Sequence, residues 1–265
     1  MHPVIALLTD FGVRDHYVGS MKGVLLSLCP EASLVDITHD VPAQDVMAGA
    51  LELLACYRHF PAGTVFLAVV DPGVGSARRP IAASAGMYRF AGPDNGLFAP
   101  VFAQEPPERV VELSGPRFAG RVISRTFEGR DRFAPAAAWL AAGVDIAELG
   151  PVLAGYEALA VPRPAIQGDT VAGEVVRVDR FGNLVTNIEA PHLAHACGAE
   201  SRPCEARLER QPPVPLVNTY AEVGEGVACA LIGSTGHLEI AVNRGSAADH
   251  FRASRGARVV VRRVP

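Results

Sequence analysis

The first 160 residues alternate short, continuous apolar runs with longer stretches of helical periodicity. The apolar runs predict strands at Val4–Thr9, Ser33–Ile37 and Thr64–Val70, and the periodic stretches predict helices at Tyr17–Cys29 and Asp45–His59. Because a helix joins each strand to the next, this order predicts right-handed crossovers and a mostly parallel sheet.

Further elements are predicted along the same region. Ile81–Ser84 and Tyr88–Ala91 are typical of a hairpin around Gly86, and Arg109–Glu112 of another strand. The Ala-rich stretch Phe133–Ala142 predicts a last helix. The first region is therefore expected to be an α/β domain.

The pattern changes after a stretch with two prolines and a glycine, Val161–Asp169, which is typical of a linker. Only short strands are predicted beyond it: Val171–Val178, Leu184–Ile188, Ala206–Glu209, Gly226–Ile232, His237–Val242 and Ala257–Val264. We therefore expect an N-terminal α/β domain of residues 1–165 and a smaller C-terminal, all-β, barrel-like domain of residues 166–265.

Composition excludes several classes of protein without indicating an activity. The 265 residues carry a formal charge of −4 and no basic block, which argues against nucleic-acid binding. The longest apolar runs are too short for a membrane span, and the N-terminus lacks the positive region of a signal peptide. Five cysteines, an odd number without a C-x-x-C pair, favour a cytoplasmic protein without structural disulfides or a thiolate zinc site.

Carboxylates follow three of the predicted strands. Ligands of open α/β sheets bind beyond the carboxyl ends of the strands, where Asp10, Asp36, His39 and Asp71 are expected. One hypothesis is a metal-dependent hydrolase that uses these four residues. The alternative is that such aspartates only cap the following helices.

Three loops of the first region are candidate sites. Asp71–Pro80 combines two glycines with Arg78 but lacks both the dinucleotide fingerprint and the Walker A ending, so a plain β-turn is the alternative. Gly92–Gly96 is a second candidate, or an ordinary turn. Thr126–Pro135 is a third, although Asp131 within it could simply be a helix N-cap.

Two loops of the second region also combine turn chemistry with possible ligand binding. Asp179–Asn183 is a good turn sequence, but its aromatic and amide side chains would also suit a purine. Gly233–Gly236 has two glycines and two hydroxyls and could bind an amino-acid carboxylate. The sequence has neither the H-E-x-x-H spacing of a zinc protease nor the G-x-S-x-G elbow of a serine hydrolase.

Taken in order, five motifs resemble the S-adenosyl-L-methionine (SAM) hydrolases, also called SAM hydroxide adenosyltransferases, which are relatives of the fluorinating and chlorinating SAM enzymes. The similarity runs from about residue 4 to about residue 262. The motifs are Leu8-Thr9-Asp10-Phe11-Gly12, Tyr17-Val18-Gly19-Ser20-Met21-Lys22-Gly23, Val69-Val70-Asp71-Pro72-Gly73-Val74-Gly75, Gly92-Pro93-Asp94-Asn95-Gly96-Leu97 and Asp179-Arg180-Phe181-Gly182-Asn183.

This resemblance implies a reaction and an assembly. The family has an N-terminal α/β domain and a C-terminal barrel-like domain, and its members are trimers whose active sites lie between neighbouring subunits. Its hydrolases convert SAM and water to adenosine and L-methionine, by attack on the ribose 5′ carbon. Neither a metal nor an organic cofactor is expected.

The resemblance also implies a role for each matching residue. Asp71 and Arg78 match two members of a water-activating Asp–Arg–His set, but Glu128 stands where the family has the histidine. A glutamate is ordinarily a weak base, so a SAM- or adenosine-binding protein with impaired turnover is the alternative function. Asp71 would also repel a halide, which favours hydrolysis over halogenation.

The remaining matches are substrate-binding positions. Asp10 is expected to hold the ribose hydroxyls, Phe181 and Asn183 the adenine side, Tyr220 the face of the base, and Asp179 and Ser234 the amino and carboxylate groups of the methionine part.

Overall fold

The computed structural model describes residues 2–119, 122–198 and 204–264 of the chain. The chain divides into two compact units, Met1–Ala160 (unit 1) and Val161–Pro265 (unit 2). No helix of the described residues combines the length and apolar character that crossing a bilayer requires.

Six strands form the sheet of unit 1. They are β1 (Val4–Thr9), β2 (Ser33–Thr38), β3 (Val65–Val69), β4 (Pro80–Ala85), β5 (Tyr88–Pro93) and β6 (Pro107–Glu112). Their order across the sheet is β2-β1-β3-β5-β4-β6, and of these six β4 alone runs against the others. The mostly parallel sheet and the hairpin around Gly86 are thus confirmed.

Helices cover both faces of this sheet. They are α1 (Tyr17–Leu28), α2 (Val46–Cys56), α3 (Ala99–Gln104) and α4 (Ala134–Ala141). Ile5 and Leu7 of β1 share a core with α1 and α4, whereas Ala6 and Leu8 share a core with α2 and α3. Because successive strand residues face opposite sides and both sides are buried, β1 is a continuous apolar run.

Two details of unit 1 differ from the sequence prediction. The helix predicted over Asp45–His59 ends at Cys56 and continues as a 3-10 turn, Tyr57–His59. Asp45 lies outside it as the N-cap, where its side chain accepts a hydrogen bond from the amide of Ala48 at 2.9 Å. The short helix α3 was not predicted, because six residues are too few to display a helical period.

Unit 2 is built on one antiparallel sheet. Its strands are β7 (Ala165–Gln167), β8 (Thr170–Val178), β9 (Leu184–Glu189), β10 (Cys204–Leu208), β11 (Val214–Pro215), β12 (Ala228–Ile232), β13 (His237–Val242) and β14 (Arg258–Arg263). The order is β11-β10-β14-β8-β9-β13-β12, with β7 paired to β8. A bridge between Leu216 and Ala230 brings the two ends of the sheet together, so the predicted barrel-like sheet is confirmed.

Two features of unit 2 correct the sequence analysis. The unit is not purely β, since it also contains α5 (Ala190–Cys197) and α6 (Ala247–Phe251). The expectation of no structural disulfide is wrong: Cys197 and Cys204 are bonded, with their Cα atoms 6.0 Å apart. Cys197 ends α5 and Cys204 begins β10, so the bond links two neighbouring elements of unit 2, and the two cysteines do not form a C-x-x-C pair.

Candidate functional site

The carboxyl ends of β1 and β3 carry two of the predicted carboxylates. The strands are parallel neighbours with Thr9 opposite Val69, so Asp10 and Asp71 follow at the same edge of the sheet. Asp10 accepts a hydrogen bond from the amide of Gln44 at 2.7 Å. This contact fixes the direction of the Asp10 carboxylate.

Asp71 and Arg78 form a buried, two-pronged ion pair. Nε of Arg78 donates to Oδ1 of Asp71 at 3.0 Å, and Nη2 donates to Oδ2 at 2.5 Å. Their side chains are only 5% and 7% exposed. The guanidinium also lies 5.3 Å from the centroid of the Phe133 ring. Such a bidentate pair holds both groups in one orientation.

Glu128 completes the set of predicted catalytic residues. Nη2 of Arg78 donates to its Oε2 at 2.6 Å, so one guanidinium nitrogen bridges two carboxylates. Oε1 of Glu128 lies 3.2 Å from Nε of Arg132, four residues along the chain. Asp71, Arg78, Glu128 and Arg132, called the acid–arginine cluster, carry two negative and two positive formal charges.

Local backbone geometry brings the members of this cluster together. Gly75 has φ +78°, a conformation that favours glycine. A Cβ on it would also lie 2.6 Å from the carbonyl oxygen of Arg125, so only glycine allows the Asp71–Pro80 loop to approach the backbone at Arg125 this closely. Glu128 immediately precedes a π-helical turn, Gly129–Phe133, that leads into α4. π-helical turns are common at functional sites.

The other polar residues of the Thr126–Pro135 loop support its shape. Asp131 is not a helix N-cap; it lies within the π-helical turn, accepts a hydrogen bond from the amide of Ser124 at 2.9 Å and is bonded by Arg130. The predicted helix therefore begins at Ala134, one residue later than the sequence suggested.

Burial raises the pKa of Asp71 above its ordinary value. The guanidinium of Arg78 and the amide of Gly73 oppose this rise, whereas the negative charge of Glu128 adds to it. A carboxylate whose pKa is raised is a better proton acceptor than an ordinary exposed aspartate. The arrangement can therefore hold a water molecule and take a proton from it.

Several other candidates serve structural roles. Asp94 of the Gly92–Gly96 loop is buried and bonded by Arg79, and Nδ2 of Asn95 donates to the carbonyl of Val70 at 2.8 Å, which braces the end of β3. These contacts explain the loop as a structural turn. The two adjacent arginines therefore have different partners: Arg78 bonds Asp71, and Arg79 bonds Asp94.

The residues of the metal-hydrolase hypothesis are engaged with protein partners. Asp36 accepts a hydrogen bond from Nζ of Lys22 at 2.6 Å, and its other oxygen lies 3.0 Å from Nε2 of His39. Nδ1 of His39 is 2.9 Å from the hydroxyl of Thr9. Nowhere in the described part of the chain are three histidine, cysteine or acidic side chains grouped to hold a metal ion.

Unit 2 contains a pocket of about 780 Å³. All five residues that the sequence analysis assigned to substrate binding in this half contribute to its lining: Asp179, Phe181, Asn183, Tyr220 and Ser234. The pocket thus brings together loops that are far apart along the chain.

Asp179 organises one wall of this pocket. Its Oδ1 accepts hydrogen bonds from the amides of Phe181 and Asn183 at 2.9 and 2.8 Å, and its Oδ2 accepts one from Nδ2 of Asn183 at 2.9 Å. The turn chemistry seen in the sequence is therefore real. The same turn presents Phe181 to solvent, with 76% of its surface exposed, while Asn183 is buried.

Tyr220 contributes a second aromatic side chain to the pocket. Its hydroxyl donates a hydrogen bond to Oε2 of Glu239 at 3.0 Å, while 37% of the residue remains exposed. Burial of the hydroxyl and the adjacent charge of Glu239 raise the pKa of Tyr220 to about 12. The phenol therefore stays protonated and remains a donor to Glu239.

The sequence analysis missed two residues that the structure places among the predicted ones. Arg132 contacts Glu128, and the i, i+4 spacing of opposite charges was the signal that could have found it. Glu239 lines the unit 2 pocket and is only 6% exposed. Its signal was a single acidic residue in the otherwise apolar stretch Leu238-Glu239-Ile240-Ala241-Val242 of β13.

Comparison with protein families accounts for both units. Residues 5–150 match the family model described as SAM hydroxide adenosyltransferase N-terminal domain, and residues 173–260 match the corresponding C-terminal domain model.

Individual proteins are similar over almost the whole chain. An (R)-S-adenosyl-L-methionine hydrolase of Salinispora tropica is 40% identical, covering 98% of this chain and 97% of the relative. A protein of the same name from Thermus thermophilus is 39% identical, covering 97% and 98%. The crystal structure of an uncharacterized conserved protein from Thermotoga maritima superposes with a TM-score of 0.92 at 34% identity, covering 98% of this chain and all of that one.

Proposed function

The chain belongs to the SAM hydroxide adenosyltransferase family, and we propose that it hydrolyses SAM to adenosine and L-methionine. The resemblance drawn from five sequence motifs is confirmed by the two family models and by relatives about 40% identical. The observation that carries the proposal is the buried contact of Asp71, Arg78 and Glu128, because this contact holds a carboxylate that can accept a proton in a largely buried position.

In the proposed reaction the oxygen of a water molecule attacks the ribose 5′ carbon of SAM. The bond between this carbon and the sulfonium sulfur breaks, and its electron pair returns to sulfur to give the neutral thioether of L-methionine. The water's proton passes to Asp71, whose pKa burial has raised. Arg78 holds Asp71 and offsets its charge. Because a sulfonium is a good leaving group, the step depends on positioning the attacking water and excluding bulk solvent more than on acid catalysis.

The proposal assigns the binding of SAM to the remaining predicted residues. Asp10 holds the ribose hydroxyls, and the exposed rings of Phe181 and Tyr220 face the adenine. Aromatic rings of this kind can stack on the face of a purine. Asn183 contacts the edge of the base through its amide oxygen, since its Nδ2 is bonded to Asp179.

The methionine part has its own partners in the proposal. Asp179 holds the amino group and Ser234, in an exposed position of the pocket, holds the carboxylate. Neither a metal nor an organic cofactor takes part. The proposal also includes a cytoplasmic location.

We further propose that the enzyme is a homotrimer with active sites at its subunit interfaces. Each unit offers only part of the needed chemistry: unit 1 carries the acid–arginine cluster, and unit 2 carries the aromatic and amide side chains. Size-exclusion chromatography with light scattering tests the assembly, and a monomer that hydrolyses SAM would contradict it.

Product analysis tests the activity. The protein is incubated with SAM in halide-free and halide-containing buffer, each with and without a chelator, and adenosine and L-methionine are quantified by chromatography. We expect equal adenosine release in all four conditions. Halogenated nucleoside, or loss of release with chelator, would contradict the proposal. Asp71→Ala should abolish release while SAM affinity changes only a few-fold.

One structural feature favours a second candidate function, which is SAM binding with impaired turnover. Glu128 stands where the family has a histidine, and its two oxygens lie against two guanidinium groups, those of Arg78 and Arg132, rather than against an open site. Comparing wild type with Glu128→His decides between the two. Tight SAM binding without adenosine release in the wild type, together with release in the variant, would establish the second candidate and exclude the first.

A further inference from the structure

Glu239 is a buried carboxylate that no predicted role explains. It lies on β13, is only 6% exposed and lines the same pocket as Asp179. Burying a carboxylate is unfavourable unless hydrogen-bond donors or a positive charge accompany it. The groups around Glu239 therefore indicate what it binds.

Only one of the two carboxylate oxygens of Glu239 is satisfied by the protein. Oε2 accepts the hydrogen bond from the Tyr220 hydroxyl at 3.0 Å, whereas Oε1 accepts none from the residues that the structure describes. A Cβ at position 233 would lie only 1.9 Å from Oε1. Gly233 thus leaves the space in which this oxygen sits, within the pocket lining.

Asp179 by itself has little capacity left for a ligand. Three hydrogen bonds from its own loop already reach its carboxylate, from the amides of Phe181 and Asn183 and from Nδ2 of Asn183. A carboxylate accepts about four hydrogen bonds, and a primary ammonium has about three to donate. A second acceptor in the pocket is therefore needed to satisfy an ammonium group there.

The electrostatics of the pocket favour a cation at this place. Burial raises the pKa of Glu239, and the negative charge of Asp179 adds to the rise. The hydroxyl of Tyr220 and the nearby Arg177 and His237 oppose it. Two carboxylates that disfavour each other's ionised form are both stabilised when a cation binds between them.

We propose that Glu239, together with Asp179, binds the ammonium group of the amino-acid part of the substrate. The identity of this ligand rests on the proposed function. Glu239 contributes the unsatisfied Oε1, Asp179 its last free acceptor position, and Tyr220 holds the Glu239 side chain in place.

Binding of two stable thioethers tests this role without any turnover. S-adenosyl-L-homocysteine carries the ammonium group but no sulfonium leaving group. 5′-Deoxy-5′-(3-carboxypropylthio)adenosine is the same molecule without the amino group. Dissociation constants of both are measured by calorimetry for the full-length wild type, Glu239→Gln and Gly233→Ala. Glu189→Gln is the control, since this glutamate lies on the neighbouring strand β9 and is half exposed.

We expect Glu239→Gln to weaken binding of S-adenosyl-L-homocysteine about tenfold or more, and binding of the desamino analogue less than about twofold. Gly233→Ala should reproduce this loss of discrimination by displacing Oε1. Equal weakening of both ligands, or no weakening of either, would overturn the assignment. Because neither ligand is hydrolysed, a protein that binds them as expected but leaves SAM intact would refute the proposed function and not this inference.

Discussion

Replacing Glu128 by glutamine removes one negative charge from the acid–arginine cluster and preserves the shape of the side chain. Nη2 of Arg78 is 2.5 Å from Oδ2 of Asp71 and 2.6 Å from Oε2 of Glu128, so these two oxygens lie within about 5 Å of each other. The negative charge of Glu128 is one of the causes of the raised pKa of Asp71. Its removal should lower that pKa.

The size of this effect follows from the distance. Two unit charges about 5 Å apart interact by about 3 kcal/mol at an effective dielectric constant of about 20, which corresponds to about 2 pH units. Arg78 lies between the two carboxylates and cancels part of the interaction. We therefore expect the pKa of Asp71 to fall by about 1 to 2 pH units in Glu128→Gln.

The assay is the pH dependence of adenosine release from SAM, measured as kcat/KM from about pH 4 to about pH 9. An aspartate that must be ionised to accept a proton limits activity on the acid side, so a lower pKa moves the acid limb to lower pH. Where the variant is too slow to assay, ¹³C NMR titration of the Asp71 carboxyl gives the same quantity. Glu148→Gln, which removes an exposed carboxylate of unit 1, is the control. An acid limb and an Asp71 titration that stay in place, or that move to higher pH, would refute the electrostatic coupling.

Three further predictions concern the cluster, its loop and a cysteine. Arg132→Met leaves Glu128 with one guanidinium partner and should lower kcat about tenfold, which corresponds to about 1.4 kcal/mol in the activation free energy, because the ion pair that helps to position Glu128 is lost. Arg132→Lys should restore part of the rate, and a double-mutant cycle in which the Met substitution costs as much in Glu128→Gln would contradict the contact. Gly75→Ala should destabilise the protein by about 1–3 kcal/mol in urea denaturation, because of its φ of +78° and the approach of the Arg125 carbonyl. Burial raises the pKa of Cys56 to about 11, so only about 0.1% of this thiol is ionised at about pH 8. Iodoacetamide reacts with the thiolate, so it should label Cys56 in urea but hardly in the native protein. Rapid labelling of Cys56 in the native protein would show that the thiol is accessible and ionised.

Local patterns were sufficient for the regular parts of the fold. The strand Val4–Thr9 and the helix beginning at Tyr17 were predicted within a residue or so of their observed bounds, because a strand buried on both faces and a helix of several turns have unmistakable hydrophobic patterns. Short elements escaped prediction. α6, with five residues, is too short to show a period and is held by Ser246, whose hydroxyl accepts from the amide of Asp249.

Contacts of the candidate site were predictable from the sequence where both residues belong to one short motif. Asp71 and Arg78 belong to one loop, and Asp179 and Asn183 to another, so their contacts are short in sequence. The meeting of Arg78 with Glu128, fifty residues away, came only from the resemblance to a family. Glu239 was missed because its partner, Tyr220, reaches it from a different segment of unit 2.

The sequence by itself determined the positions of the longer strands and helices along the chain, the loop chemistry at the strand ends and the family to which the chain belongs. Only the tertiary structure decided which charges meet. Hydrophobic periodicity is a local property that a short window of residues contains, whereas an ion pair depends on where the backbone brings two distant residues. Arg78 and Arg79 are adjacent in the sequence, yet one faces Asp71 in the acid–arginine cluster and the other faces Asp94 in a structural turn.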